Sequence, residues 1–303
     1  MKRTTLCLGP GTLVYGASPG LKIFDASGIT LDTDLATKDL PSSFLGKANT
    51  IQTDRLMKVA ATPVGEVSQE LLNLFYPWRN LAAAMGAQIL DPNADTPLVI
   101  HSAAGQKTTL LNAALTKPPE LALSTVETSF GQLEFTAITP GDGTSTDPLH
   151  TVGAAAYDLG AHATPLSGVA YTAQFGSLAI LSTVDGFRVS VEPDLQALET
   201  DEDGVVSWAL KGLKVSARCT PTQLNEQQIL DALGINRGRG RSVAGAHALV
   251  ITGAGGLTVT LKRAALTKGP MKWGAGELRA GELLFEANAD GDGSLYDVAL
   301  STP

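Results

Sequence analysis

The chain has 303 residues, about two domains' worth at roughly 150 residues each, and is 44% hydrophobic, 17% charged and 5% aromatic. That is enough apolar matter for a sizeable core and too little charge for a disordered chain. With 22 Lys and Arg against 30 Asp and Glu, the formal net charge is −8, which speaks against tight binding to nucleic acid or an anionic membrane, since both need a basic footprint.

In chain order, Met1-Lys2-Arg3 precedes an apolar stretch that Gly9, Pro10 and Gly11 break, so no signal peptide is expected. No apolar run approaches the roughly 18 residues of a membrane span, and a soluble chain is expected. Cys7 and Cys219 are too few for a disulfide framework and suit a reducing compartment, each as a small buried hydrophobe. Gly16-Ala17-Ser18-Pro19-Gly20 spells a nucleophile elbow, but that chemistry needs the N–H after the serine and Pro19 has none. A plain turn is expected there.

Ile29, Leu31 and Thr33 alternate with Thr30, Asp32 and Asp34, the period of a half-buried strand. Residues 35–54 (LATKDLPSSFLGKANTIQTD) read as a loop. Arg55–Ala61 reads as a strand entering Thr62-Pro63. A short amphipathic helix follows on Val67, Leu71, Leu72 and Phe75. Leu98–Ile100 and Lys107–Lys117 read as a hairpin turning at Ala103-Ala104-Gly105; the run Gly105-Gln106-Lys107-Thr108 lacks the first glycine of a phosphate loop. Gly131–Ile138 reads as the last strand of the first half, and 139–148 (TPGDGTSTDP) as a junction.

The same order then recurs. Phe187, Val189 and Val191 alternate, 192–204 reads as a loop, and Lys211–Ala217 reads as a strand entering Thr220-Pro221. Leu224, Ile229, Leu230 and Leu233 have helical spacing, with Gly234 as the stop. A hairpin turns at Ala254-Gly255-Gly256, and Gly281–Ala287 reads as the last strand. Leu98–Pro119 and Leu249–Pro270 are identical at 13 of 22 aligned positions without a gap, where chance gives about one or two. GQLEFTA (131–137) matches GELLFEA (281–287), and Gly28 matches Gly186. The sequence predicts two copies of one mainly β module with one short helix each, over 1–150 and 151–303.

No catalytic constellation emerges. Gly253-Ala254-Gly255 and Gly274-Ala275-Gly276 lack the third glycine of a dinucleotide fingerprint. Asn288, Asp290, Asp292 and Gly293 fit the first half of a calcium loop, but position twelve is Ala299 instead of a bidentate Glu. A solvated loop and a weak calcium site are both open readings. His101, His150, His162 and His247 lack metal-site spacing. Arg237, Arg239 and Arg241 form the one dense basic run. They are candidates for a subunit interface with Glu199, Asp201, Glu202 and Asp203 of a neighbour; a solvated loop and a nucleic-acid contact are the alternatives.

The LVIHSAAGQKTTLLNAALTKPPEL hairpin and GQLEFTAI, following ELLNLFYPW, resemble the major tail (tail tube) proteins of long-tailed bacteriophages. The resemblance covers most of the first half, and the repeat extends it to the second. It implies tandem tail-tube-like β-sandwich or barrel modules, each of two packed sheets with a short helix. Such modules stand side by side in a ring of six, so a two-module chain would close a pseudo-hexameric ring as a trimer. Rings would stack into a hollow tube in the virion tail, assembled in the host cytoplasm. The implied partners are copies of the chain, other tail proteins at the tube ends, and genomic DNA sliding through an acidic lumen without tight binding. No enzymatic activity, cofactor or membrane contact is expected. A tail-tip or adaptor ring, or a tandem β-sandwich binding a host-surface ligand, is the alternative.

Overall fold

The computed structural model describes residues 11–17, 20–25, 28–44, 46–64, 67–79, 84–86, 96–102, 105–124, 128–137, 149–154, 170–200, 204–223, 226–235, 247–253, 255–274 and 277–301. The protein is mainly β, built of antiparallel sheets with two short helices among the described residues. The first half runs β1 (Gly11–Tyr15), β2 (Leu21–Asp25), β3 (Thr30–Ser42), β4 (Gly46–Ala61), β5 (Pro63–Val64), α1 (Gln69–Phe75), β6 (Leu98–Ser102), β7 (Gln106–Leu110), β8 (Ala113–Lys117), β9 (Leu121–Leu123), β10 (Thr128–Phe130), β11 (Leu133–Ala137) and β12 (His150–Ala154). One of its sheets has the order β12-β7-β6-β1-β2-β5 and another β3-β4-β11-β8. The strand β12 begins at residue 150 and completes the first of these sheets by pairing with β7.

The second half runs β13 (Tyr171–Phe175), β14 (Leu178–Ile180), β15 (Thr183–Thr200), β16 (Gly204–Pro221), α2 (Glu226–Leu233), β17 (Leu249–Gly253), β18 (Leu257–Leu261), β19 (Ala265–Lys268), β20 (Met271–Gly274), β21 (Glu277–Ala280), β22 (Leu283–Glu286) and β23 (Tyr296–Leu300). Its strands pair in the same scheme as the first. The order β14-β13-β17-β18-β23 repeats β2-β1-β6-β7-β12, and β15-β16-β22-β19 repeats β3-β4-β11-β8. The small ribbon β20-β21 repeats β9-β10. Registers agree as well: Leu31 faces Val59 and Val59 faces Phe135, as Val189 faces Ala217 and Ala217 faces Phe285.

Local chemistry explains the element ends. Ser68 caps α1, its hydroxyl accepting from the Leu71 N–H at 3.2 Å. Leu72 and Phe75 then face inward. At the end of α2, Gly234 has φ +62° and its N–H donates to the Leu230 and Asp231 carbonyls, a left-handed stop that a side chain would disfavour. The β1–β2 turn holds Gly16 and Gly20, whose N–H donates to the Ala17 carbonyl; Ser18 and Pro19 lie outside the described residues. Leu13, Ile23, Val59, Phe135, Phe187, Ile251, Val259 and Phe285 belong to one apolar cluster that both halves share.

Two expectations need correction. Residues 35–54 and 192–204 are not free loops where described: β3 and β4 continue through the first stretch as a long hairpin, and β15 runs through Thr200 in the second before β16 begins at Gly204. In the first stretch the outer residues are exposed on both faces, so no apolar alternation marks it as strand; in the second, Pro193, Leu195 and Ala197 are half-buried between the exposed Glu192, Asp194 and Gln196, and Leu195 packs on the core. Nor do Leu133–Ala137 and Leu283–Glu286 end their halves, because β12 and β23 follow.

Candidate assembly interface

The two halves are joined edge to edge. The short strand β9 of the first half pairs with β15 of the second, giving the continuous order β10-β9-β15-β16-β22-β19. The register is Leu121 with Val189, Ala122 with Arg188, and Leu123 with Phe187. Leu121, Leu123, Phe187 and Val189 are each no more than 1% exposed. Burying such side chains contributes about 1.5–3 kcal/mol apiece. On the other face Glu120 takes two guanidinium contacts, from Arg188 at 3.4 Å and Arg218 at 3.0 Å. Gly186 lies under the end of β9 with φ +79°, and a Cβ there would overlap the Leu123 carbonyl oxygen. The junction therefore requires glycine twice over, for conformation and for close approach.

A second contact lies between α1 and β23. The Leu300 N–H donates to Gln69 Oε1 at 2.7 Å, and Gln69 Nε2 donates to the Val298 carbonyl at 3.4 Å. The Gln69 side chain thus meets β23 through a donor and an acceptor of its backbone, as a neighbouring strand would. Arg79 pairs with Asp297 at 3.4 Å. The Tyr76 ring stands edge-on to Tyr296 at 6.5 Å, and its hydroxyl donates to the Pro119 carbonyl at 2.9 Å. Burial pushes both phenols above the usual tyrosine range. Beside the joint a cleft of about 490 Å³ is lined by Lys117, Glu120, Gln132, Val191 and Glu192 among others.

Of the interface candidates read from the sequence, Glu199 is exposed near the outer end of β15, opposite Val205. Arg237, Arg239, Arg241, Asp201, Glu202 and Asp203 lie outside the described residues. The residues that build the joint were missed in the sequence. Their signal was the alternation of Leu121 with Leu123 just after the hairpin repeat, echoed by Met271 and Trp273.

The other motifs form turns. Gly105 has φ +79° and its N–H donates to the Ser102 carbonyl, between β6 and β7. In the Asp-rich segment Ser294 donates to Asp292 through both its N–H and its hydroxyl, which holds that carboxyl below the usual range, and the Asp290 carboxylate accepts from the Gly291 N–H. The chain then enters β23 before position twelve, Ala299, so that position is part of a strand. Among the described residues no group of three or more His, Cys, Asp or Glu is placed to hold a metal ion, and no helix is long and apolar enough to cross a membrane. Trp78 is buried, while Trp273 is 66% exposed. Comparison with protein-family models and with curated proteins returned no match.

Proposed function

We propose that the chain is a structural subunit built of two copies of one β module, whose copies stand side by side in closed rings that stack into a hollow tube. The resemblance read from the sequence makes that tube the tail tube of a long-tailed bacteriophage, with DNA as its cargo. The observation that carries the reading is the joint between β9 and β15. It links two halves of the same strand scheme head to tail through a sheet edge, and an addition of that kind can be repeated by a further copy. A head-to-tail contact generates a ring when its rotation closes.

Two further features support it. The hairpin β3–β4 reaches well beyond the core, with Leu35 60% and Phe44 93% exposed, which suits contacts with neighbouring copies. The net charge of −8 suits a conduit past which phosphates slide. A ring at the tail tip or at an adaptor position would use the same joint. The test is mass measurement across a concentration series. Six modules per ring require particles of three 31.4-kDa chains or multiples of three. A monomer at every concentration would contradict the reading.

A further inference from the structure

The joint inside the chain has open counterparts at its two ends. The strand β3 is the counterpart of β15, and among the described residues its outer edge has no strand beside it. Val189 and Val191 on β15 are buried. Their counterparts Leu31 and Thr33 are exposed, Leu31 by 39%. The strand β20 is the counterpart of β9. Met271 faces Ala280 as Leu121 faces Phe130, and the turn donors Gly131 and Gly281 reach Glu120 and Pro270 alike. Leu123 is 1% exposed against β15, whereas its counterpart Trp273 is 66% exposed.

The second contact shows the same asymmetry. Val298 on β23 is 1% exposed where α1 covers it, but Val152, its counterpart on β12, is 67% exposed. Gln69 and Gln227 hold the same post on their helices, donating to Asn73 and Asp231 respectively. Gln69 goes on to meet β23, while Gln227 is exposed. Gly28 completes the set. Unlike Gly186, it has open space where a Cβ would stand.

We propose that a second copy of the chain occupies these open surfaces, so that β20 of one copy pairs antiparallel with the outer edge of β3 of the next while α2 of the first covers β12 of the second. The inference deepens the ring reading and rests on it for its partner. The internal joint fixes the register: Trp273 opposite Ile29, Lys272 opposite Thr30, and Met271 opposite Leu31. Trp273 and Met271 then cover the face that holds Leu31. Lys272 falls on the opposite face, diagonal to Asp32, a complementary charge. Gln227 meets the backbone of Val152 and Ala154 as Gln69 meets that of Val298 and Leu300. The seam satisfies an exposed sheet edge that would otherwise be a template for indiscriminate pairing.

The test is directed cross-linking of the full chain. Thr30→Cys and Lys272→Cys are introduced together, with Cys7→Ser and Cys219→Ala to remove native thiols, and the assembled protein is treated with a short thiol-bridging reagent. The seam predicts chain-to-chain bonds and a ladder that stops at three chains when the ring closes, with neither single cysteine giving it. Particles that assemble but do not cross-link at this pair would overturn the seam and leave the ring reading standing. A chain that never assembles would overturn both. Val152→Asp provides a second readout. Its site is exposed in the single chain, so the circular dichroism spectrum should be unchanged while assembly falls at least tenfold. Unchanged assembly would count against the α2–β12 half of the seam.

Discussion

Glycine 186 shows how one residue carries the joint. At φ +79°, with the Leu123 carbonyl where a Cβ would stand, Gly186→Ala combines backbone strain with a backbone clash. Gly28→Ala meets only the strain of φ +104°. In the unassembled chain, Gly186→Ala should therefore lose at least about 1 kcal/mol more stability than Gly28→Ala, read from urea midpoints. Equal losses would mean that β9 does not press on β15 as described. Glu120 makes a smaller contribution. Its carboxylate is partly exposed between Arg188 and Arg218, so Glu120→Gln should cost about 0.5–1 kcal/mol at low salt and less at high salt. Cys219 reports on the core near the same joint. Burial, aided by the Glu282 charge, pushes its thiol up to about 12 from 9.0. Folding therefore favours the protonated thiol. The contribution is complete below pH 9 and is lost between 9 and 12, at about 1.4 kcal/mol per pH unit. In a Cys7→Ser background the thiol should resist alkylation at pH 8 until the chain unfolds.

At the scale of elements, the β3–β4 hairpin divides into a root that serves the core and a limb that does not, whereas β15–β16 stays packed farther out, with Ser207 and Leu210 buried. Met57 and Val59 on β4 are buried, whereas Leu35, Leu40, Phe44 and Ile51 farther out are all exposed. Replacing Thr37–Gln52 by Asn-Gly, which suits a two-residue hairpin turn, should leave the melting temperature within a few degrees of the parent and abolish assembly. Collapse of the fold would show that the limb belongs to the core. The same division explains what the sequence revealed. The roots were legible because Ile29, Leu31 and Thr33, and Phe187, Val189 and Val191, alternate in the sequence; on β15 that alternation faces an apolar layer, whereas Leu31 and Thr33 on β3, expected to be half-buried, are exposed. The limb of β3–β4 was hidden because its outer residues are exposed, and Pro41 and Pro193 within β3 and β15 obscured the strand pattern in both hairpins, a tolerance that edge strands allow. The repeated hairpin was legible through identity alone. The joint was not, since β9 and β10 are three residues long and the other half has no carboxylate where Glu120 stands, Pro270 taking its place as acceptor from the turn glycine.

At the scale of the molecule, the continuity of one sheet across both halves makes the chain a segment with two different ends. The exposed apolar residues Leu31, Val152 and Trp273 lie at those ends, which a neighbour would cover. Assembled particles should not retard duplex DNA at about 0.15 M salt, since a net charge of −8 per chain repels phosphates on balance. A retained complex would assign the protein a gripping role instead of a conducting one. The most direct measurement is electron microscopy of the assembled protein viewed along its axis. The account predicts a hollow ring of six similar lobes contributed by three chains, stacked into a tube with one layer of long hairpins per ring. Closed rings with another number of lobes, or particles without a central channel, would contradict it.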